Sequence, residues 1–446
     1  MKLSTLARLL SGTLLGQDGH YTSVSLDSRS IQVGALFIAI AGDNFDGHAF
    51  IEQAKHQGAV AALVEKIEAK PSDIPLVCVA DTRKALGKLA QIHRESFSIP
   101  LIALTGSCGK TTTKEMLRAI LSESGFVLAS QKSFNNDIGV PLTLLDLTTQ
   151  HQFAVIEMGA NHPGEIAYLT QIAKPDIALI TNIAPAHLQG FGSIECVAEA
   201  KSEIFLGLTL QGIAIINGDD PFSSTWKTRL THHRVIRFGL SRTADFSAKN
   251  VHLDSQGRVQ FILLTPSDEI AIHLALAGKH NFLNALAAAA AASQVGASLA
   301  AIKTGLEKMQ SVPGRAMILE NSCGATIIDD TYNANPHSVA AALQLLVHYP
   351  GQHIFVMGDM AELGDNAIYY HQQMGQLAKK LNIEHLYTCG TLTAVTSQAF
   401  GPSAQHYTCQ EELAQALKPL LKKGVTVLIK GSRCAQMERV VRAVLG

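Results

Sequence analysis

Residues 101–117, LIALTGSCGKTTTKEML, pass from an apolar strand pattern into a helical one, and the residues between the two could hold a phosphate. Gly106 and Gly109 let the backbone turn tightly and bring amide N–H groups to an anion. Ser107 and Cys108 lie between them; Cys108 reads as filler, since no neighbouring residue suggests a base for it. A helix starting near Lys110 adds its positive end. Lys110 supplies a mobile charge for terminal phosphates, the Thr111 hydroxyl can ligate Mg²⁺, and Thr112 continues the cradle. The longer form of such a loop has a glycine where this chain has Leu104, so this is the short G-x-x-G-K-T form, which points away from GTPase-like switches.

Further chemistry-bearing residues follow at the ends of apolar runs. FAVIEMG leaves Glu157 at a strand's C-terminal end, as a Mg²⁺ ligand or else a loop ion pair. ITNIAPAHLQG leaves His187 after a proline turn, and a lone histidine is usually structural. In AEAKSEIF, helical spacing puts Glu199 and Glu203 on one face and Lys201 elsewhere, which by itself reads as a solvated helix face. His280, Asn281 and Asn284 open a long alanine-rich helix. Asparagine amides there read an adenine edge or serve equally as caps. Asp329 and Asp330 end another strand, where an acid suits ribose hydroxyls. Arg315 stands in the linker SVPGR and reaches a γ-phosphate only if the segment after it closes over the phosphate loop. Lys430 and Arg433 in KGSR are candidates for an anionic substrate or ordinary surface cations.

The elements that must place these residues repeat one pattern, buried-type strands alternating with helices, which implies parallel sheets covered on both faces. Residues 1–98 carry GALFIAI, GAVAALV and PLVCVA; HRESFSIP is a connector. Residues 99–312 carry LIALTG, FAVIEMG, DIALITN and GIAIING, and residues 313–446 carry ATIIDD, HIFVMGD, HLYTCG and VTVLIKG. Three α/β domains with those bounds are expected. The opening stretch MKLSTLARLLSGTLLG reads as an amphipathic helix, because Arg8 interrupts its apolar run.

The chain's 446 residues, 47% hydrophobic and 16% charged, can fill several cores. A formal charge of −1 gives no overall pull toward nucleic acid or anionic lipid, so any polyanion must meet a local site. Seven scattered cysteines without a C-x-x-C pair argue against a disulfide framework or a zinc site, and fit a reducing cytoplasm. No apolar stretch is long enough to span a bilayer. Nothing suggests an obligate partner, so a monomer is expected.

In order, TGSCGKTT, SFNNDIGVPLT, IEMGANHPGEI, APAHLQGFGS, EAKSEIF, GKHNFLNALAAAAA, PGR, DDTYNANP and KGSR resemble the motifs of the Mur ligase family over essentially the whole chain. The resemblance implies a small N-terminal α/β substrate domain, a central P-loop ATPase-like parallel sheet and a C-terminal Rossmann-like α/β domain. DSRSIQVGALFIAIAGDNFDGHAFI, DDTYNANPHS and MGDMAELGDNA are most similar to the member that joins D-alanyl-D-alanine to UDP-N-acetylmuramoyl-tripeptide. A sister ligase adding a single amino acid, and a nucleotide switch without ligase chemistry, are the rivals. The resemblance further implies ATP as phosphoryl donor and Mg²⁺ held by Thr111, Glu157, His187 and Lys201, with Lys201 carbamylated. It implies an adenine site of His280, Asn281 and Asn284, ribose on Asp330, and γ-phosphate on Arg315. Asn135 and Asn136 are expected near the nucleotide-sugar peptide. Asp27, Ser28, Arg29, Asn44, Asp46 and His48 are expected at the UDP end, and Lys430 on the substrate.

Overall fold

The strand Leu101–Thr105 forms because five successive apolar or β-branched residues have both faces to bury, and all five are buried. It lies inside a six-stranded, all-parallel sheet. Phe153–Glu157 is its neighbour on one side and Ile177–Ile180 on the other, so the chain changes direction across it. Such a reversal opens a crevice at the C-terminal strand ends. The computed structural model describes residues 1–42, 45–65, 74–131 and 134–445. The expected UDP-end residue Asn44 lies outside the described residues.

The chain divides into two compact units, Met1–Ile99 with Ser130–Gln150, and Pro100–Ala129 with His151–Gly446. The first is built on a five-stranded sheet whose strands include Ala35–Ile38, Ala59–Val64 and Leu76–Cys78. Ser130–Gln150 falls within the 99–312 span yet packs here, because Ile138, Leu142 and Leu145 cover the apolar cluster around Leu86 and Leu89. The opening helix is shorter than its sequence pattern. It covers Leu3–Leu9, and Ser11 turns left-handed (φ 52) so that Thr13–Leu15 can pair antiparallel with Leu76–Cys78. The connector begins later than expected, since the helix Thr82–Glu95 takes in His93–Glu95.

In the second unit, the helix Lys110–Ser122 and the alanine-rich helix His280–Gln294 share one core with the parallel sheet. Ala285–Ala292 are buried on every side of the turn, and only small side chains let elements approach that closely all round. A three-stranded antiparallel sheet, Ser247–Leu253, Arg258–Leu264 and Glu269–Ala277, covers this core. The expected alternation of strand and helix omits it. The remaining six-stranded sheet has one antiparallel edge strand, Met317–Glu320, and otherwise parallel pairs through Thr326–Asp330, Val425–Lys430, Gln352–Gly358 and His385–Cys389. Among the described residues no helix is long and apolar enough to cross a membrane.

Candidate functional site

The loop after Leu101–Thr105 has the backbone its glycines allow. Gly106 (φ 146) and Gly109 (φ 81) both sit at positive φ. A Cβ on Gly106 would stand 1.9 Å from Thr181 Oγ1, and one on Gly109 would stand 2.3 Å from Asn284 Oδ1. Both positions therefore need glycine on two grounds. The residues just past Ile177–Ile180 fasten the loop. Ser107 N–H donates to the Asn182 carbonyl (2.9 Å) and Cys108 N–H to Asn182 Oδ1 (2.9 Å). Thr181 Oγ1 and Asn182 Nδ2 donate to the Cys108 carbonyl at 2.6 and 3.0 Å. The Ser107 hydroxyl accepts from Ala184 N–H and donates to its carbonyl, both at 2.9 Å. Gly109 then caps the helix Lys110–Ser122, whose first N–H groups have no partner within the helix. This is a rigid anion cradle at a helix N-terminus.

Cations gather on it. Lys110 Nζ donates to the Gly106 carbonyl at 2.8 Å, and Arg315 donates to Thr111 Oγ1 at 2.8 Å while its guanidinium lies 4.1 Å from the Tyr332 ring centroid. Burial pushes the Lys110 ammonium below its ordinary pKa; Glu157 opposes this and Arg315 adds to it. Glu157 is 2% exposed and ends its strand opposite Leu104. Lys201 is fully buried on the helix Ile194–Ser202, its Nζ has no hydrogen-bond partner among the described residues, and it lies 5.7 Å from the Phe191 ring centroid. Burial first, and the charge on Lys110 second, bring its pKa down to about 7. The solvated-face reading of this helix is thus wrong for Lys201 but right for Glu199, which pairs with Arg229. Glu203 instead accepts from Gly164 N–H and Ala167 N–H, at 2.8 and 3.1 Å.

Among the described residues no hydrogen bond ties His187 to the loop. It stands at φ 54, with Nδ1 2.5 Å from Glu362 Oε2, close in distance though not aligned as a hydrogen bond. Of the asparagines at the long helix, Asn284 reaches the loop at Gly109 and its Nδ2 donates to Asn281 Oδ1 (3.0 Å), while Asn281 Nδ2 donates to the Ala277 carbonyl (2.7 Å). His280 is half-buried, and burial lowers its pKa while Asp330 resists. Asp330 is ion-paired at 2.6 Å with Lys430, which is 2% exposed and so is no surface cation; Arg433, by contrast, is exposed and pairs with Glu438.

The other expected residues lie in the first unit, which holds a cavity of about 1440 Å³. Asp27, Ser28 and Arg29 line it. Arg29 grips Asp27 through two 2.8 Å hydrogen bonds, which hold the Asp27 carboxyl down at about 2, and Ser28 donates to Gln53 at 3.0 Å. Asp46 and His48 form a 2.5 Å pair beside it, with His48 Nε2 accepting from Glu65 N–H. Asn136 Oδ1 accepts from Ile138 and Gly139 N–H groups at the start of the helix Gly139–Leu145. Asn135 precedes it on an irregular stretch. Phe134, in the same stretch, lines the cavity.

Thr181, Asn182 and Glu362 were not singled out by residue type. The signal for the first two was present: two polar residues directly after the apolar run DIALI. Among the described residues no three His, Cys, Asp or Glu side chains converge as a ready-made cation cage. Mg²⁺ needs none, since it takes one or two carboxylates together with phosphate oxygens.

The chain matches the descriptions "Mur ligase family, catalytic domain" over residues 20–94, "Mur ligase middle domain" over 104–292 and "Mur ligase, glutamate ligase domain" over 314–433. It is 44% identical to the UDP-N-acetylmuramoyl-tripeptide–D-alanyl-D-alanine ligase of Escherichia coli, covering 99% of this chain and 97% of that one. To the ligase of the same name from Bacillus subtilis it is 34% identical, over 99% and 97%. Among solved structures, MurF from Acinetobacter baumannii matches with a TM-score of 0.93 at 36% identity, over 99% and 98% of the two chains. MurF ligase from Thermotoga maritima, solved in complex with ADP, matches at 0.86 and 29%, over 95% and 96%. With three matched segments in the family's order and full-length likeness at this level, the chain belongs to the Mur ligase family.

Proposed function

We propose that this chain is an ATP-dependent amide ligase that joins D-alanyl-D-alanine to UDP-N-acetylmuramoyl-tripeptide, in peptidoglycan precursor synthesis. A carboxylate is a poor electrophile at neutral pH. Its oxygen takes the γ-phosphoryl group of ATP, the bond to ADP breaks, and the acyl phosphate now carries a leaving group. The amine of D-alanyl-D-alanine attacks the acyl carbon, a tetrahedral intermediate forms, and phosphate departs as the nitrogen loses its proton. The protein must bring two anions together, and positive charge aimed between them does this.

Lys110 and Arg315 hold the terminal phosphates, with Gly106, Ser107, Cys108, Gly109, Thr111 and Thr112 forming the cradle. Thr111 and Glu157 are hard oxygen donors suited to Mg²⁺; His187 and a carbamylated Lys201 would complete the set. When bound, Mg²⁺ offsets the repulsion between the phosphate chain and the substrate carboxylate. As an ammonium Lys201 repels that ion; as a carbamate it offers anionic oxygens. His280, Asn281 and Asn284 line the adenine and Asp330 meets the ribose. Lys430 holds Asp330, the residue that meets the ribose. The UDP end lies in the cavity lined by Asp27, Ser28 and Arg29, with Asp46 and His48 beside it and Asn135 and Asn136 toward the peptide. We assign residues 1–98, joined by Ser130–Gln150, to UDP-substrate binding, the rest of 99–312 to ATP and 313–446 to ligation, in a cytoplasmic monomer.

The observation that carries the reading is the fully buried Lys201 amine, which has no hydrogen-bond partner among the described residues and feels the charge of Lys110 in the phosphate cradle. A plain ATP-driven switch has no use for it. Lys201→Ala is expected to lose ligation while keeping ATP binding, and added short carboxylates to restore part of the rate. No rescue by any carboxylate, with ATP still bound, would count against the carbamate.

A further inference from the structure

The segment MGDMAELGDNA, residues 357–367, has no task in the reading above. It is held firmly. The Asp359 carboxylate accepts from the N–H groups of Thr391, Leu392 and Thr393, and the Asp359 carbonyl accepts from Ser432 N–H at 3.0 Å. Met360 N–H donates to His371 Nε2 at 3.0 Å and Ala361 N–H to Ser432 Oγ at 2.6 Å. Fixed in this way, the segment turns one side chain, Glu362, onto the loop that carries His187. Glu362 Oε2 lies 2.5 Å from His187 Nδ1, and the Glu362 carbonyl accepts from Gln189 N–H at 3.1 Å.

Both partners hold left-handed backbone without being glycine, His187 at φ 54 and Glu362 at φ 63. The contact returns little stability for that strain, because Glu362 is 49% exposed and solvent screens it. Strain kept without a stability return marks a functional constraint. A carboxylate oxygen 2.5 Å from Nδ1, even off the hydrogen-bond axis, favours the proton on that nitrogen and leaves Nε2 as the ring's acceptor.

We propose that Glu362 is a positioning residue for His187: it occupies Nδ1 and leaves Nε2 as the ring nitrogen available to a ligand. The chemical use of that nitrogen rests on the ligase reading; the positioning itself can be read without it. Long-range ¹H–¹⁵N spectra of the full chain, labelled at histidine and free of nucleotide, report the tautomer above the imidazole titration, with His187→Gln assigning the signal. The Nδ1–H tautomer is expected in the wild type and in Glu362→Gln, which keeps an acceptor, and the Nε2–H tautomer in Glu362→Ala. In ligation, Glu362→Ala is expected to lower kcat by about 10- to 100-fold, with KM for ATP within roughly twofold. Glu362→Gln should retain most of the rate, and Asp365→Asn, on the same exposed turn, should change neither readout. An Nε2–H tautomer in the wild type, or an unchanged tautomer in Glu362→Ala, overturns the proposal. If the wild type does not ligate at all, the ligase reading falls while the tautomer still decides the role of Glu362.

Discussion

Replacing Lys201 by Met tests how this buried amine is used. Its pKa of about 7 lies well below the ordinary 10.5, so at pH 7.5 the neutral amine is on the order of 10³-fold more abundant than on an exposed lysine. Only the neutral amine attacks CO₂. The same depression has a thermodynamic sign. The unfolded chain binds this proton up to pH 10.5, whereas the folded chain releases it near pH 7. The resulting cost to stability is absent above pH 10.5, grows as pH falls, and is complete below about pH 7, where it amounts to ~5 kcal/mol. Met fills similar space without a charge. In CO₂-free buffer, urea unfolding should show Lys201→Met to be the more stable protein at pH 7 by several kcal/mol, with the gap closing toward pH 10. Adding ¹³C-bicarbonate should stabilise the wild type alone and produce a carbamate carbonyl resonance that Lys201→Met lacks. A wild type as stable as Lys201→Met at pH 7, with a difference that does not change with pH, would refute the burial argument.

Gly109→Ala places a Cβ 2.3 Å from Asn284 Oδ1 at φ 81, so ADP affinity by calorimetry should fall at least tenfold; unchanged affinity would mean the cradle tolerates a side chain. Asp330→Asn leaves the 2%-exposed Lys430 ammonium without its carboxylate and should destabilise the protein by about 3–5 kcal/mol in urea unfolding. A loss under ~1 kcal/mol would show that Lys430 finds other partners. Arg315→Lys cannot both stack on Tyr332 and reach Thr111, so KM for ATP should rise by about tenfold with little change in melting temperature.

The strands that place the cradle were legible because both their faces are buried: LIALT, FAVIE and IALI contain almost nothing that could face water. The antiparallel sheet is hidden by the strand–helix rhythm on either side of it, although EIAIHLALA alternates with period two. Gly106, Gly109, Lys110 and Thr111 could be read from spacing alone, since a phosphate loop is local in sequence. Lys201 could not: its helix has charged neighbours, and only the packing shows that it alone turns inward. Lys430 was ambiguous for a related reason, because its ion-pair partner Asp330 comes from a neighbouring strand a hundred residues earlier. Glu362 reaches His187 by the same kind of long-range meeting, which no local pattern announces.

The central claim is that cations gathered on the Gly106–Thr111 cradle let a phosphate and a carboxylate react so that an amine can displace the product. Incubating the purified chain with UDP-N-acetylmuramoyl-tripeptide, ATP, Mg²⁺ and D-alanyl-D-alanine, and weighing the product by mass spectrometry, tests it most directly. The expected product is the tripeptide enlarged by one D-alanyl-D-alanine less one water, formed with one ADP and one phosphate. ATP turnover indifferent to the UDP-tripeptide, or a product enlarged by a single amino acid instead, would contradict it.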